Sequence, residues 1–243
     1  MGILFANGSV IKKMTLSFFD QHLIIEADSL EAVDARLRSH TDLGIYSADI
    51  IVVTSETYER VRSVLSHHYT QDLLSQFLKL GQSVLSQQYP GDICFNALAM
   101  RNHFFHLLTH SDPVVLENEP RKKVHVKQGY TRCTSLPVGA DAVITEDASL
   151  AQCYEAHGYH TLLIQPGFVH LEGFPHGFIG GAGGTVDQSV VLNGSLSSHP
   201  NKEEMRAFIT RQGYQIVELH QGELEDCGSI LYYDTRMIHQ ASS

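Results

Sequence analysis

The sequence predicts an α/β fold built from repeated strand–turn–strand–helix–strand units. Two observations carry that expectation. Hydrophobic residues make up 43% of the 243 residues and charged residues 18%, below the roughly 25% of an average soluble domain. The chain therefore has material for a packed core and lacks the composition of a disordered one. One phrase also recurs: an apolar strand, a small-residue turn, a second strand with a polar tip, a helix closed by glycine, and a branched strand. It occupies residues 132–164 and again 177–219, and a looser copy begins at Asp92. A unit of this kind cannot bury its apolar face alone, so neighbouring units must pack side by side. Strands alternating with helices define the α/β class. No stretch is long or polar enough to act as a linker. A single domain over residues 1–243 is expected, with divergent N-terminal units in 1–88 and clearly repeated units in 89–243.

Each element has a local reason. Residues 16–27 read as a strand leading to a helix over 29–39, where Ser29 precedes Glu31 and Val33 and Leu37 share a face. Residues 48–53 are a short β-branched strand. A helix over 55–65 follows, capped by Thr54 or Ser55, with Val61, Val64 and Leu65 inward. Apolar spacing from Leu73 to Leu85 predicts a long helix over 70–87. After the Pro90–Gly91 turn, residues 93–97 and 103–108 suggest a hairpin. Strands are expected at 124–127, 135–138 and 142–145, then a helix over 149–157 that Gly158 ends. A strand at 161–164 precedes a Gly/Pro-rich loop over 166–177. Strands at 178–181 and 190–192 flank a glycine turn, a helix over 201–212 stops at Gly213, and strands at 216–219 and 229–232 finish the pattern.

Charge and composition narrow the partners. The formal net charge is -10, from 27 acidic and 17 basic residues. Such a chain repels phosphate backbones, so nucleic acid is not an expected partner. No apolar run approaches the ~20 residues of a membrane span. The apolar opening Ile3–Ala6 is too short for a signal peptide, so no membrane association and a cytoplasmic location are expected. Cys94, Cys133, Cys153 and Cys227 form no C-x-x-C pair or zinc-ligand spacing and read as free thiols. The 15 histidines mostly stand singly. His103, His106 and His110 lack the spacing of convergent ligands. No metal or cofactor is expected.

Several residues could carry chemistry. Cys227 stands between a polar stretch and an apolar strand, where a thiol can project into a cleft; its plain alternative is a small space-filling side chain. Nucleophilic use requires the thiolate, which the adjacent Asp226 opposes. His170 and Glu172 share a flexible loop and could be a base with its orienting partner, or solvated loop residues; His176 is a second candidate. The run Gly180–Gly184 lacks the Lys and Ser/Thr of a phosphate loop, so it reads as a turn of close backbone approach. Asp187 either caps that turn or binds a cationic group. Asn96, Arg101, Arg132 and Asn193 sit at comparable points of their units, as backbone caps or, if strand ends converge, as a polar lining.

Four segments resemble a family related to the guanidino-group-modifying enzymes. They are Tyr89-Pro90-Gly91-Asp92-Ile93-Cys94-Phe95-Asn96-Ala97, Lys127-Gln128-Gly129-Tyr130-Thr131-Arg132-Cys133, Gly177-Phe178-Ile179-Gly180-Gly181 and Asn193-Gly194-Ser195-Leu196. The resemblance implies the pentein fold, a pseudo-fivefold β/α propeller with its site where the units meet. Asp226-Cys227-Gly228-Ser229-Ile230-Leu231 is similar to the cysteine motif of dimethylarginine dimethylaminohydrolases. By that resemblance Cys227 is the nucleophile of a hydrolase or deiminase acting on a guanidino or amidino group of a small cationic substrate. His170 would move protons, with Glu172 as its loop partner, Asp187 or Glu172 would hold the cation, and Asn96, Arg132, Asp226 and His176 are candidates to line the substrate. Counting units back from Cys227 sets the family's histidine position near Gln128, so a non-catalytic pentein that binds a small molecule or a protein stays open beside the enzyme.

Overall fold

The computed structural model describes residues 2–27 and 29–240. Its elements repeat one motif in chain order. The first unit opens with β1 (Gly2–Ala6), α1 (Gly8–Ile11) and β2 (Leu23–Glu26). The second holds α2 (Thr41–Gly44), β3 (Ile45–Ser47), β4 (Ile51–Val53), α3 (Ser55–Ser66), α4 (Gln71–Phe77) and β5 (Leu78–Leu80). The third holds β6 (Leu98–Ala99), β7 (His103–His106), α5 (Pro113–Asn118) and β8 (Lys122–His125). In the fourth, β9 (Ser135–Val138), β10 (Ala142–Thr145), α6 (Ala148–Ala156) and β11 (His160–Leu163) precede a short β12 (Val169–His170). The fifth comprises β13 (Gly183–Val186), β14 (Ser189–Leu192), α7 (Lys202–Arg211) and β15 (Gln215–Glu218). A short β16 (Leu224–Glu225), β17 (Leu231–Asp234) and α8 (Arg236–Gln240) complete the described chain.

Among the described residues there are five three-stranded sheets of one design, plus the short pair β12–β16. In each sheet the middle strand has an antiparallel neighbour on one side and, across a helical crossover, a parallel neighbour on the other. The first sheet is assembled from distant segments. There β17 lies antiparallel to β1, with Gly2 opposite Asp234, while β2 lies parallel to it.

Five apolar cores separate the sheets. One joins Ile3 and Phe5 to Ile51 and Val53, the next Val52 to Phe95 and Phe104. A third joins Leu98 and Phe105 to Val143 and Tyr154, a fourth Leu136 and Ile144 to Val190 and Leu192. The fifth joins Val186 and Val191 back to Leu4 and Ala6. Every unit thus buries one face against the unit before it and one against the unit after it. This is why the middle strands β4 and β14 are buried along their whole length instead of alternating.

Several elements differ from expectation, each for a local reason. Residues 29–39 form turns, not a helix. Asp34 accepts the Arg36 backbone N–H at 2.9 Å, a local bond that competes with a helical one, and Leu30 N–H reaches Arg38 O at 2.8 Å. The long helix over 70–87 stops at Phe77. Leu78–Leu80 joins β4 in parallel, and the Gln82 and Ser83 N–H groups donate to the Asp112 carboxylate instead of to a helix. The hairpin before β7 uses Leu98–Ala99, not 93–97. The strand expected at 178–181 begins at Gly183, inside the glycine run.

The close-approach reading of that run holds. A Cβ on Gly180 would lie 2.2 Å from Arg132 O, 2.4 Å from Ser135 O and 2.6 Å from Cys133 O. Gly158 differs: its φ is +85° and nothing lies within 4 Å of its added Cβ. Gly180→Ala should therefore cost at least ~2 kcal/mol by forcing backbone apart, whereas Gly158→Ala should cost ~1 kcal/mol, the left-handed penalty alone. Urea denaturation midpoints of the two variants measure the difference.

Candidate functional site

The loop leading into each first strand ends at a common centre. Asp42 precedes β3, Asn96 precedes β6, Arg132 and Cys133 precede β9, Gly180 and Gly181 precede β13, and Asp226, Cys227 and Ser229 precede β17. All the polar members are buried, so each must find partners among the others. Asn96 Oδ1 accepts the backbone N–H groups of Arg132 at 2.9 Å and Cys133 at 3.1 Å, while its Nδ2 donates to Cys133 Sγ at 3.2 Å. The Arg132 guanidinium donates to the carbonyls of Ser135, Gly180, Gly183 and Ile230 over 3.0–3.4 Å. Gly181 donates to Cys133 O and accepts from the backbone of Cys227 and Ser229, and Asp42 N–H donates to Gly228 O.

Two carboxylates and two thiols meet here. Asp42 Oδ2 accepts from Cys133 Sγ at 2.9 Å and from Ser229 Oγ at 2.5 Å. Its Oδ1 is buried without a hydrogen-bond partner. Asp226 accepts Phe178 N–H at 2.9 Å and Gly228 N–H at 3.0 Å. The His40 ring, 5% exposed, has Nδ1 3.8 Å from Asp226 Oδ1, beyond hydrogen-bond length. The Cys227 thiol donates to Gly181 O at 3.2 Å, and among the described residues no imidazole is hydrogen-bonded to it.

Burial and neighbouring charge set the protonation. Burial, with Asp226 and Asp42 beside it, pushes the Cys227 thiol far up. Burial, Asp42 and Asp226 do the same to Cys133. Burial also raises the Asp226 carboxyl. Glu146, which follows β10, accepts Ile179 N–H at 3.3 Å through Oε1 and leaves Oε2 buried and unpartnered. Its carboxyl is pushed up to about 8, by burial first and then by Asp226 and Asp147. Without an added cation, both thiols are neutral hydrogen-bond donors.

Of the residues singled out in the sequence, the structure brings Cys227, Asp226, Asn96 and Arg132 into this centre. The others lie elsewhere. His170 is in β12 with its ring exposed, 4.0 Å from Glu223; only its backbone carbonyl joins the centre, accepting Asp226 N–H. Glu172 is exposed on the following loop. His176 is half-buried and bonds Gly177 O at 3.0 Å. Asp187 occupies the β13–β14 turn at φ 49°, where it accepts Tyr232 Oη–H at 2.6 Å. Sequence reasoning missed His40, Asp42 and Glu146, and Cys133 as part of a site. The available signal was position: His40 and Asp42 precede β3 as Asn96 precedes β6.

No helix among the described residues is long and apolar enough to cross a membrane. No curated protein matches the sequence. Among solved structures, the chain is similar to a dimethylarginine dimethylaminohydrolase in adduct with S-methyl-L-thiocitrulline, with TM-score 0.52 and 11% identity over 95% of this chain and 99% of that one. It is also similar to an agmatine deiminase of C. jejuni, with TM-score 0.50 and 12% identity over 95% of this chain and 80% of that one. At such identities the likeness is one of fold, and the α/β fold is that of these pentein-superfamily members. At the level of sequence the match is specific: one family model covers residues 9–231, and the chain belongs to that family, described as a family of unknown function (DUF6873).

Proposed function

We propose that this chain is a cysteine-dependent hydrolase of the amidino class, acting on a small cation that bears a guanidino or amidino group. In this reading the five units are blades of a pentein-type propeller in one domain, and the loops that meet at the centre form its site. The observation that carries the reading is a buried thiol, Cys227, beside two buried carboxylates, Asp226 and Asp42, one of which has an unpartnered oxygen. The fold shared with dimethylarginine dimethylaminohydrolase and agmatine deiminase supports it.

The electrostatics suggest how such a site works. Without a bound cation, burial first and then the two carboxylates hold the Cys227 proton in place. A guanidinium bound between Asp42 and Asp226 replaces repulsion by attraction and favours the thiolate. Sulfur then attacks the guanidino carbon, the C–N bond to the leaving amine breaks, and the amine takes a proton. Water next cleaves the carbon–sulfur bond, giving a ureido product and restoring the thiol. Glu146, neutral below about pH 8, is positioned as proton donor, with His40 as the imidazole of the centre. His170 and Glu172, exposed on the outer loop, have no part in this assignment.

A second reading rests on one observation: the Cys227 thiol is hydrogen-bonded to a carbonyl and to no histidine. That arrangement suits a pentein that binds a small cationic ligand without turning it over. Both readings meet the same assay, ammonia or amine release from a panel of guanidino and amidino compounds. The hydrolase reading expects turnover by wild type and a loss of at least ~1000-fold in Cys227→Ser. No turnover, joined with thermal stabilisation by the same compounds, selects the binding protein.

Glu146 also makes a stability prediction. Its folded value of about 8 lies above the 4.5 of an unperturbed glutamate. The unfolded chain therefore loses this proton first as pH rises. The group's contribution to stability is complete below about pH 4.5 and is lost as pH rises through about 8, at up to ~1.4 kcal/mol per pH unit. Glu146→Gln should flatten that decline, as read from denaturation midpoints across the range.

A further inference from the structure

The geometry points to a divalent transition-metal site formed by His40, Asp42 and Cys133, of the kind that takes zinc. An imidazole nitrogen, a carboxylate oxygen and a sulfur of these residues all lie within 4.8 Å of one another, and all three side chains are buried. Ligands of a tetrahedral zinc stand about 3.5 Å apart, so side-chain shifts of about 1 Å complete the arrangement. Nitrogen, oxygen and sulfur together suit a borderline metal such as Zn²⁺ and disfavour Mg²⁺ or Ca²⁺, which take oxygen donors.

Three further observations belong to a ligand set and not to chance proximity. Asp42 is 1% exposed, yet its Oδ1 has no hydrogen-bond partner. An unmatched buried carboxylate oxygen is costly, and a metal satisfies it. His40 caps α2 by position but makes no side-chain capping bond, and its Nδ1 is 3.8 Å from Asp226 Oδ1. Finally, outer groups already orient the ligands. Asn96 Nδ2 donates to Cys133 Sγ at 3.2 Å, and Ser229 Oγ donates to Asp42 Oδ2 at 2.5 Å. Donors aimed at a sulfur and a carboxylate are what a metal-ligand shell supplies.

On binding, the Cys133 S–H bond to Asp42 Oδ2 is given up. The proton leaves to solvent, sulfur takes the metal, and Asn96 continues to donate to the sulfur. The metal then staples the loop entering the second unit to the loop entering the fourth. Residues 40, 42 and 133 follow no recognised ligand spacing, so no sequence motif announces the site. The inference does not depend on turnover at Cys227, which is no part of the ligand set.

The test is cobalt and zinc binding to the full chain after treatment with a chelator. Wild type is expected to retain one equivalent after dialysis and, with Co²⁺, to show a thiolate-to-cobalt band in the near ultraviolet. Cys133→Ser should lose the band, and His40→Ala and Asn96→Ala should each weaken binding by about tenfold or more. Cys227→Ser should keep the full band, whatever the fate of the hydrolase assay. Wild type that retains no metal overturns the proposal, and so does metal binding without a thiolate band. A band lost in Cys227→Ser and kept in Cys133→Ser also overturns it, by assigning the metal to the other thiol. The wild-type measurements decide even if a variant fails to fold.

Discussion

One buried guanidinium organises this molecule. Arg132 has lost its hydration and recovers it from four main-chain carbonyls that belong to three segments of the chain. An arginine has only donors to offer, in a planar fork, so the carbonyls must come to it. That requirement draws Gly180 against the Arg132 and Ser135 backbone and leaves no volume for a Cβ at Gly180. It also turns the entries of several units toward one axis. Asn96, Asp42 and Ser229 add further hydrogen bonds around it and leave Asp42 Oδ1 unpartnered. The five apolar cores supply most of the burial, but they specify only which units are neighbours. The polar centre specifies how the five entries meet.

The same centre is rich in groups that want a cation. Two carboxylates and two thiols face each other with the Arg132 guanidinium as their buried cation, and Arg132 is occupied by carbonyls. Burial raises the thiols and Asp226 toward their neutral forms, because a low-dielectric interior penalises each added negative charge. A site poised in this way is reset by one incoming positive charge, whether organic or metallic. The hydrolase reading and the metal site thus draw on one electrostatic property and share Asp42 and His40, differing in which thiol each uses.

The sequence disclosed the repeated unit because periodicity and glycine stops are local signals. Units over 132–164 and 177–219 are found as expected, with helices stopping at Gly158 and Gly213, both at positive φ. What it concealed depends on distant partners. The segment 70–87 has helical spacing throughout, yet Leu78–Leu80 is a strand because β4 offers unmatched backbone groups beside it. Asn96, Arg132 and Cys227 were legible as strand-end residues and Asp226 through the motif it shares with Cys227, and all four meet at the centre. His40 and Asp42 were not, because the first units lack the glycine and turn markers that reveal position within a unit. His170 carries a local likeness to a motif, but β12 pairs with β16 and leaves its ring on the outside.

The first sheet joins β1 to β17 across nearly the whole described chain. Units two to five can form contacts within short stretches of sequence, at little loop-closure cost. The first cannot be completed until the distal strand arrives, and its pairing spans the largest sequence separation among the described sheets. Asp226, Cys227 and Ser229 sit on the segment that leads directly into β17. The polar centre is therefore completed by the same segment that completes the first sheet. A ligand that bridges Asp42 to Asp226 would, in turn, act as a latch on the last step of folding.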